Sequence, residues 1–302
     1  MTSHDSSFIS QGTRCAGTLM LPETGTKPPV IVMAHGFGAI RAAGLMSFAD
    51  RFVAAGYAVF TFDYRSFGDS AGEPRQWVSP RRHLQDWRAA VRHVRALPEV
   101  DVARLVLWGT SLSGGHVIQA AAGDAGIAAI IAQVPHVSAP ASLRRVPLGN
   151  ILRLGAAGLA DLVGGWWGRP VYRPIVGRPG EVAAITTPEA WDGYLGLVPE
   201  GAPWENKTRA RAFLAFPFYS PIRHAHRVFA PALVIAGRRD AVTPAGAARK
   251  AADRLPRGRF EALDCHHFAP YVGETFERNV RLQLDFLREV VPTTPGAERS
   301  GP

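Results

Sequence analysis

The run Leu105-Val-Leu-Trp-Gly-Thr-Ser-Leu-Ser-Gly-Gly115, with a helical pattern directly behind it, constrains this chain more than any other feature. A strand that ends in small–x–Ser–x–small and passes at once into a helix makes a turn so tight that its flanking residues must be small. The serine at the apex, Ser111, is thereby pushed out of the sheet with its hydroxyl exposed. Ser113 stands where the second small residue is usually glycine, and Gly114 and Gly115 follow it. Strand, turn and helix in this order belong in an α/β sheet.

The remainder of the sequence agrees. Apolar or β-branched runs at Val30–Ala34, Ala58–Phe62, Leu105–Trp108, Ile127–Ala132 and Ala232–Ala236, with a weaker one at Arg259–Leu263, alternate with helical patterns. Near-continuous apolarity predicts strands covered on both faces of a mostly parallel sheet. Helices are expected at Leu45–Ala55, Pro80–Ala96, Gly115–Ala122, Ala245–Leu255 and Glu274–Glu289. In the last, Phe276, Val280, Leu284 and Leu287 recur at helical spacing. Phe8–Leu21 reads as an antiparallel edge hairpin. From Ser138 to Tyr219 no strand run is visible, and Gly, Pro and Trp166, Trp167, Trp191 and Trp204 accumulate. The expected organisation is a core of 1–137 and 220–292, a helical and loop cap inserted at 138–219, and a frayed tail at 293–302.

A serine hydroxyl needs a base. His267, in Asp264-Cys-His-His-Phe-Ala-Pro-Tyr271, follows the last strand run, with His266 as its rival. The acid that orients the base is expected at the end of the preceding strand, where Leu233-Val-Ile-Ala-Gly-Arg-Arg-Asp240 supplies Asp240. Asp240 could equally cap the helix that starts near Pro244; the histidine that follows favours the orienting role. A developing oxyanion needs donors, and the backbone N–H groups of Phe37, in the glycine loop after Val30–Ala34, and of Leu112 are the natural pair. His35 reads as a structural loop histidine.

Composition narrows the function further. With 47% hydrophobic and 20% charged residues, a disordered chain is excluded. The formal charge of +9 is carried mainly by scattered arginines and reads as a solvated surface rather than a nucleic-acid site. The only cysteines, Cys15 and Cys265, have neither a disulfide framework nor a zinc spacing. No apolar run reaches the roughly 20 residues that cross a bilayer, and the polar opening residues lack the apolar stretch of a signal peptide. The expected setting is the cytoplasm.

Together the HGFG, FDYRSFGDS, GTSLSGG, GRRD and HHF segments resemble the α/β-hydrolase superfamily in their order and spacing. The FDYR…GDS…GEPR stretch and the HHFAPY ending look most like dienelactone-hydrolase-like and X-Pro-peptidase-like esterases, some of whose relatives are described as polyketide transferases. The resemblance implies an eight-stranded sheet with a cap over its C-terminal strand ends, a Ser111–His267–Asp240 triad, and no cofactor or metal. It implies a serine ester hydrolase with an apolar or aromatic acyl substrate, or an acyltransferase or thioesterase on the same residues. A silent binding protein on this fold is the remaining alternative. The partner is then a small-molecule ester or thioester, with no nucleic acid and no membrane; the oligomeric state, a homodimer included, stays open. Trp166, Trp191 and Trp204, with Phe213, Phe216 and Phe218, are the candidates for lining an acyl pocket, with His136 at its rim.

Overall fold

Strands that are apolar at every position need cover on both faces, and the computed structural model, which describes residues 1–293, shows how they obtain it. The chain opens with β1 (Thr2–Asp5), β2 (Phe8–Ser10), β3 (Thr13–Cys15) and β4 (Gly17–Leu21). Then come β5 (Pro29–Ala34), α1 (Leu45–Ala54), β6 (Ala58–Phe62), α2 (Pro80–Arg95), β7 (Asp101–Thr110), α3 (Leu112–Ala121) and β8 (Ala129–Gln133). After a long insertion the core resumes with β11 (Ala232–Gly237), α8 (Ala245–Ala252), β12 (Gly258–Leu263) and α9 (Gly273–Val290). Eight strands form one sheet in the order β1-β4-β6-β5-β7-β8-β11-β12. Every pair from β6 to β12 is parallel, and β1 and β4 join antiparallel at one edge.

The two-residue period of a strand sorts its side chains between two cores. Val30, Val32 and Ala34 of β5, Leu105 and Leu107 of β7, and Val234 of β11 face a core shared with Trp87 and Val94 of α2 and Val117 and Ile118 of α3. Ile31, Met33, Val106, Trp108 and Ile235 face the other, with Phe48 and Phe52 of α1 and Phe276 and Leu287 of α9.

Some expectations change. Phe8–Leu21 is not one edge hairpin. β2 and β3 pair in a small sheet of their own, turning at Gln11 and Gly12, both with positive φ. β4 instead lies inside the main sheet, screened by β1, whose four exposed polar residues carry no strand signal. Helix α3 starts at Leu112 rather than Gly115, so the glycines lie within its first turns and Ser111 immediately precedes it. Helix α8 ends at Ala252, three residues before the expected Leu255. The face of α9 is not purely apolar, since Asn279 and Gln283 are fully buried within it.

The insertion contains α4 (Ala139–Leu143), α5 (Leu148–Gly164), β9 (Tyr172–Arg173), α6 (Ala190–Leu195), β10 (Thr208–Arg209) and α7 (Ala212–Ala215). It is not free of strands: β9 and β10 pair antiparallel, too short to show in the sequence. The tail assigned to 293–302 lies outside the described residues except for Thr293, which packs beside Gly56.

Candidate active site

Ser111 sits between β7 and α3 with φ 54° and ψ −118°. A non-glycine residue with positive φ persists only where its surroundings over-determine it, and here they do. Ser111 N donates to Gln133 O on β8 (2.9 Å), and Ser111 O accepts from His136 N (2.8 Å). The demand for small neighbours is equally concrete. A Cβ on Gly109 would lie 2.2 Å from Ser113 O, and one on Gly115 2.1 Å from His136 O. Ser113 fits, and its hydroxyl takes a buried bond with Tyr64 Oη (2.8 Å), to which Trp87 Nε1 also donates.

The loops after β11 and β12 bring the other two groups to this serine. His267 Nε2 lies 3.1 Å from Ser111 Oγ, and His267 Nδ1 lies 2.7 Å from Asp240 Oδ2. Nδ1 donates to the carboxylate, which leaves the Nε2 lone pair to accept the serine proton. Burial alone would raise the Asp240 pKa; the adjacent His267 and the hydrogen bonds that the carboxylate accepts hold it below the ordinary value. Asp240 Oδ1 accepts from the amides of Val242 (2.8 Å) and Thr243 (2.7 Å), while the Thr243 hydroxyl donates to Oδ2 (2.8 Å). The carboxylate therefore both holds the turn ahead of α8 and meets the imidazole. His266 points elsewhere: its Nδ1 accepts from Phe268 N (3.3 Å) and closes the local turn.

Across from His267, Phe37 follows β5 and Leu112 opens α3. Two side chains of the insertion fix the Phe37 loop from outside. Tyr194 Oη donates to Phe37 O (2.8 Å) and Trp204 Nε1 to Gly38 O (2.7 Å). These two bonds hold the loop that carries Phe37 beside Ser111. His35, fully buried, has its pKa pushed down to about 3 by desolvation.

Ser111 opens on two unequal spaces. The larger, about 480 Å³, is lined mostly by apolar groups, among them Leu143, Ile151, Leu154, Ile185, Phe213 and Phe216, with His136 and Ser142 as polar members. The smaller, about 30 Å³, contains His267 and is walled by Phe268, Leu197 and Tyr271. Phe37 borders both. The tryptophans, in contrast, do not line the large cavity. Trp166 is 84% exposed; Trp191 lies under the Arg178 guanidinium; Trp204 serves the Phe37 loop. Phe218 is also exposed. Thr243 and Tyr194 are not singled out by the sequence, whereas Trp204, expected in the pocket wall, instead holds the Phe37 loop; of the two, only Thr243, three residues after an aspartate that follows a strand, carries a local signal. Among the described residues no group of three or more His, Cys, Asp or Glu side chains is placed to hold a metal ion.

An eight-stranded, mostly parallel sheet with a serine at a strand–helix elbow and an imidazole and carboxylate on later loops places this chain in the α/β-hydrolase superfamily. Residues 26–172 match the family described as serine aminopeptidase, S33. Within the superfamily the chain is 41% identical over 290 residues to the quorum-quenching protein AidA of Acinetobacter baumannii, spanning 95% of each chain. It is 29% identical over 296 residues to the thiohydrolase aneE of Aspergillus aculeatus, spanning 93% of this chain and 91% of that one. Among solved structures, DcsB in complex with its substrate analogue matches in fold with a TM-score of 0.82 at 23% identity, over 96% of this chain and 99% of that one.

Proposed function

We propose that this protein is a serine hydrolase that cleaves carboxylic esters with a sizeable apolar acyl part and a small alcohol part, with residues 138–219 as its cap. The observation that carries this reading is the continuous chain Ser111–His267–Asp240 at 3.1 and 2.7 Å, opening on an apolar cavity of about 480 Å³. Ser111 Oγ attacks the carbonyl carbon as His267 Nε2 takes its proton, and the carbonyl oxygen becomes an oxyanion against the Phe37 and Leu112 amides. The intermediate collapses, the C–O bond to the alcohol breaks, and Nε2 delivers the proton to the departing oxygen. Water then releases the acid by the same steps.

The two spaces assign the two halves of the substrate. The departing oxygen must meet His267 Nε2, and His267 borders the space of about 30 Å³. The acyl chain is left with the large cavity, which falls within the volume range of small-molecule sites. The likeness to a quorum-quenching protein supports a signal-removing role. A second reading, thioester hydrolysis, is favoured by the likeness to a thiohydrolase; it needs a bulky thiol to leave through the smaller space.

Labelling with a fluorophosphonate, followed by hydrolysis of methyl and hexyl esters of short and long acids, tests both. The wild type should label and should prefer the methyl ester of the longer acid. Ser111→Ala should lose labelling and on the order of 10³-fold or more in kcat. Undiminished turnover by Ser111→Ala would overturn the mechanism. Preference for a long-chain thioester over the methyl ester would replace the first reading with the second.

A further inference from the structure

Helix α5 carries large apolar side chains on its outer as well as its inner face, unlike a surface helix of a water-soluble domain. Its one carboxylate, Asp161, is fully buried, where Arg209 Nε (3.0 Å), Arg211 Nε (2.8 Å) and the Val171 amide (2.8 Å) donate to it. Its outer face carries Leu148 (69% exposed), Leu152, Leu159, Leu162 and Val163, and Trp166 and Trp167 (72% exposed) continue beyond its end. The spacing of 148, 152, 159, 163 and 166 draws one continuous stripe along the helix. Exposed single leucines are ordinary, whereas a stripe of this length marks a surface that meets another apolar phase.

Charge indicates which phase. Between 139 and 170 the only acidic residue is the buried Asp161, while Arg144, Arg145, Arg153 and Arg169 are all exposed. A second copy of the chain laid on this face would bring like charges together, on a chain that already carries +9. An anionic surface would complement them. Leucines flanked by arginines and followed by paired tryptophans are what an interfacial helix presents to headgroups and the outer acyl region. From this geometry we infer that the outer face of α5, with Trp166 and Trp167, docks this protein on the surface of an anionic lipid bilayer.

The docking is peripheral, since no helix among the described residues is long and apolar enough to cross a membrane. It also has a use. The inner face of the same helix, Ile151 and Leu154, lines the large cavity, as do Arg145, Val146 and Pro147 just ahead of it. A helix lying on lipid thus holds that cavity within one side-chain layer of the acyl region, where apolar substrates partition. Trp166, expected in the pocket, instead lies on the exposed stripe, and the stripe argues against the expectation of no membrane partner.

Co-sedimentation of the full chain with extruded vesicles tests the inference, comparing phosphatidylcholine alone with an equal mixture of phosphatidylcholine and phosphatidylglycerol at low and high salt. The wild type should partition onto the mixed vesicles, with tryptophan emission shifted to the blue, and release as salt is raised. Leu152→Glu/Leu159→Glu should lose roughly 100-fold or more in partitioning. Arg153→Ala should lose about fivefold. Trp166→Ser/Trp167→Ser, further from the packed helix, provides the same test should the double glutamate variant not fold. Hydrolysis of a short soluble ester should be unchanged in these variants. Ser111→Ala should bind vesicles like the wild type, which separates this inference from the hydrolase reading. Absence of wild-type binding, or equal binding by the Leu152→Glu/Leu159→Glu protein, overturns the docking surface. So does a wild-type dimer in light scattering that this variant dissociates.

Discussion

At the scale of single residues, the proposed nucleophile, base and acid stand out in the sequence because each is tied to its own strand end, and strand ends are legible as apolar runs. The groups that hold these three were hidden, because their partners are distant in sequence. Thr243 shows the difference. Its amide and hydroxyl together supply two of the donors to Asp240, and Oγ1 lies 3.2 Å from His267 Nδ1. Thr243→Val keeps the shape and removes the hydroxyl from a buried carboxylate. A hydrogen bond to a charged group contributes about 1.5–3 kcal/mol, so kcat should fall on the order of tenfold or more while KM holds, and Thr243→Ser should restore most of it. Steady-state kinetics of the two variants checks this; equal losses in both would leave Thr243 a packing role only. Ser113 also gains a role beyond its size. Ser113→Ala should cost about 1 kcal/mol in urea unfolding through the lost Tyr64 bond, with turnover little changed.

Among the elements, those whose two faces both belong to the sheet's cores were readable and the insertion was not. In β5 and over Leu105–Trp108 of β7 consecutive residues alternate between the two cores, so every position there is apolar and the run announces itself. β1 is exposed at all four positions and is held by register with β4 alone, which leaves no hydropathy pattern. The insertion misleads for a further reason. Its aromatics are expected as pocket walls because apolar residues belong inside, yet on α5 the carboxylate is inside and four of the five leucines are out. No periodicity rule separates a stripe facing a core from a stripe facing lipid. Asp161 anchors this arrangement, and Asp161→Asn should show it. Removing one partner of a buried ion pair costs about 3–5 kcal/mol; Arg211 is one-fifth exposed, so the lower end applies here. The loss should be local: faster proteolysis within 139–211, with a much smaller change in the core's unfolding midpoint. Unchanged proteolysis would mean that packing of Leu154 and Ala157 suffices to hold the helix.

At the scale of the whole molecule, the region beneath the serine elbow sets how the fold answers to acid. His35, His83 and His116 are fully buried there. His83 stacks on Tyr64 at 3.9 Å between ring centroids, its Nδ1 lies 3.3 Å from His116 Nε2, and Tyr64 in turn meets Ser113 at the elbow. Desolvation pushes His35 and His116 down to about 3 and His83 well below its ordinary 6.5. A group whose folded pKa is depressed contributes stability that is complete above its unfolded pKa, here about 6.5, and drains away as pH falls toward the folded value. Each such histidine therefore removes about 1.4 kcal/mol per pH unit below 6. Two buried carboxylates act in the opposite sense. Desolvation raises Asp63 to about 6 and also raises Asp86, so the folded state gains as these protonate. Three histidines against two aspartates, with His136, lowered to about 4 by desolvation, acting in the same sense as the histidines, leave a net loss equivalent to at least one proton, on the order of 1.4 kcal/mol per pH unit between pH 6 and 4. Urea unfolding at half-unit steps should show stability nearly level from pH 8 to 7, then falling across that window. His83→Phe keeps a ring on Tyr64 and removes one titrating site, so its slope should be shallower by about one proton even where its absolute stability is lower. A wild-type curve that stays flat or rises down to pH 4.5 would mean that the three imidazoles do not remain neutral in the fold as their burial requires.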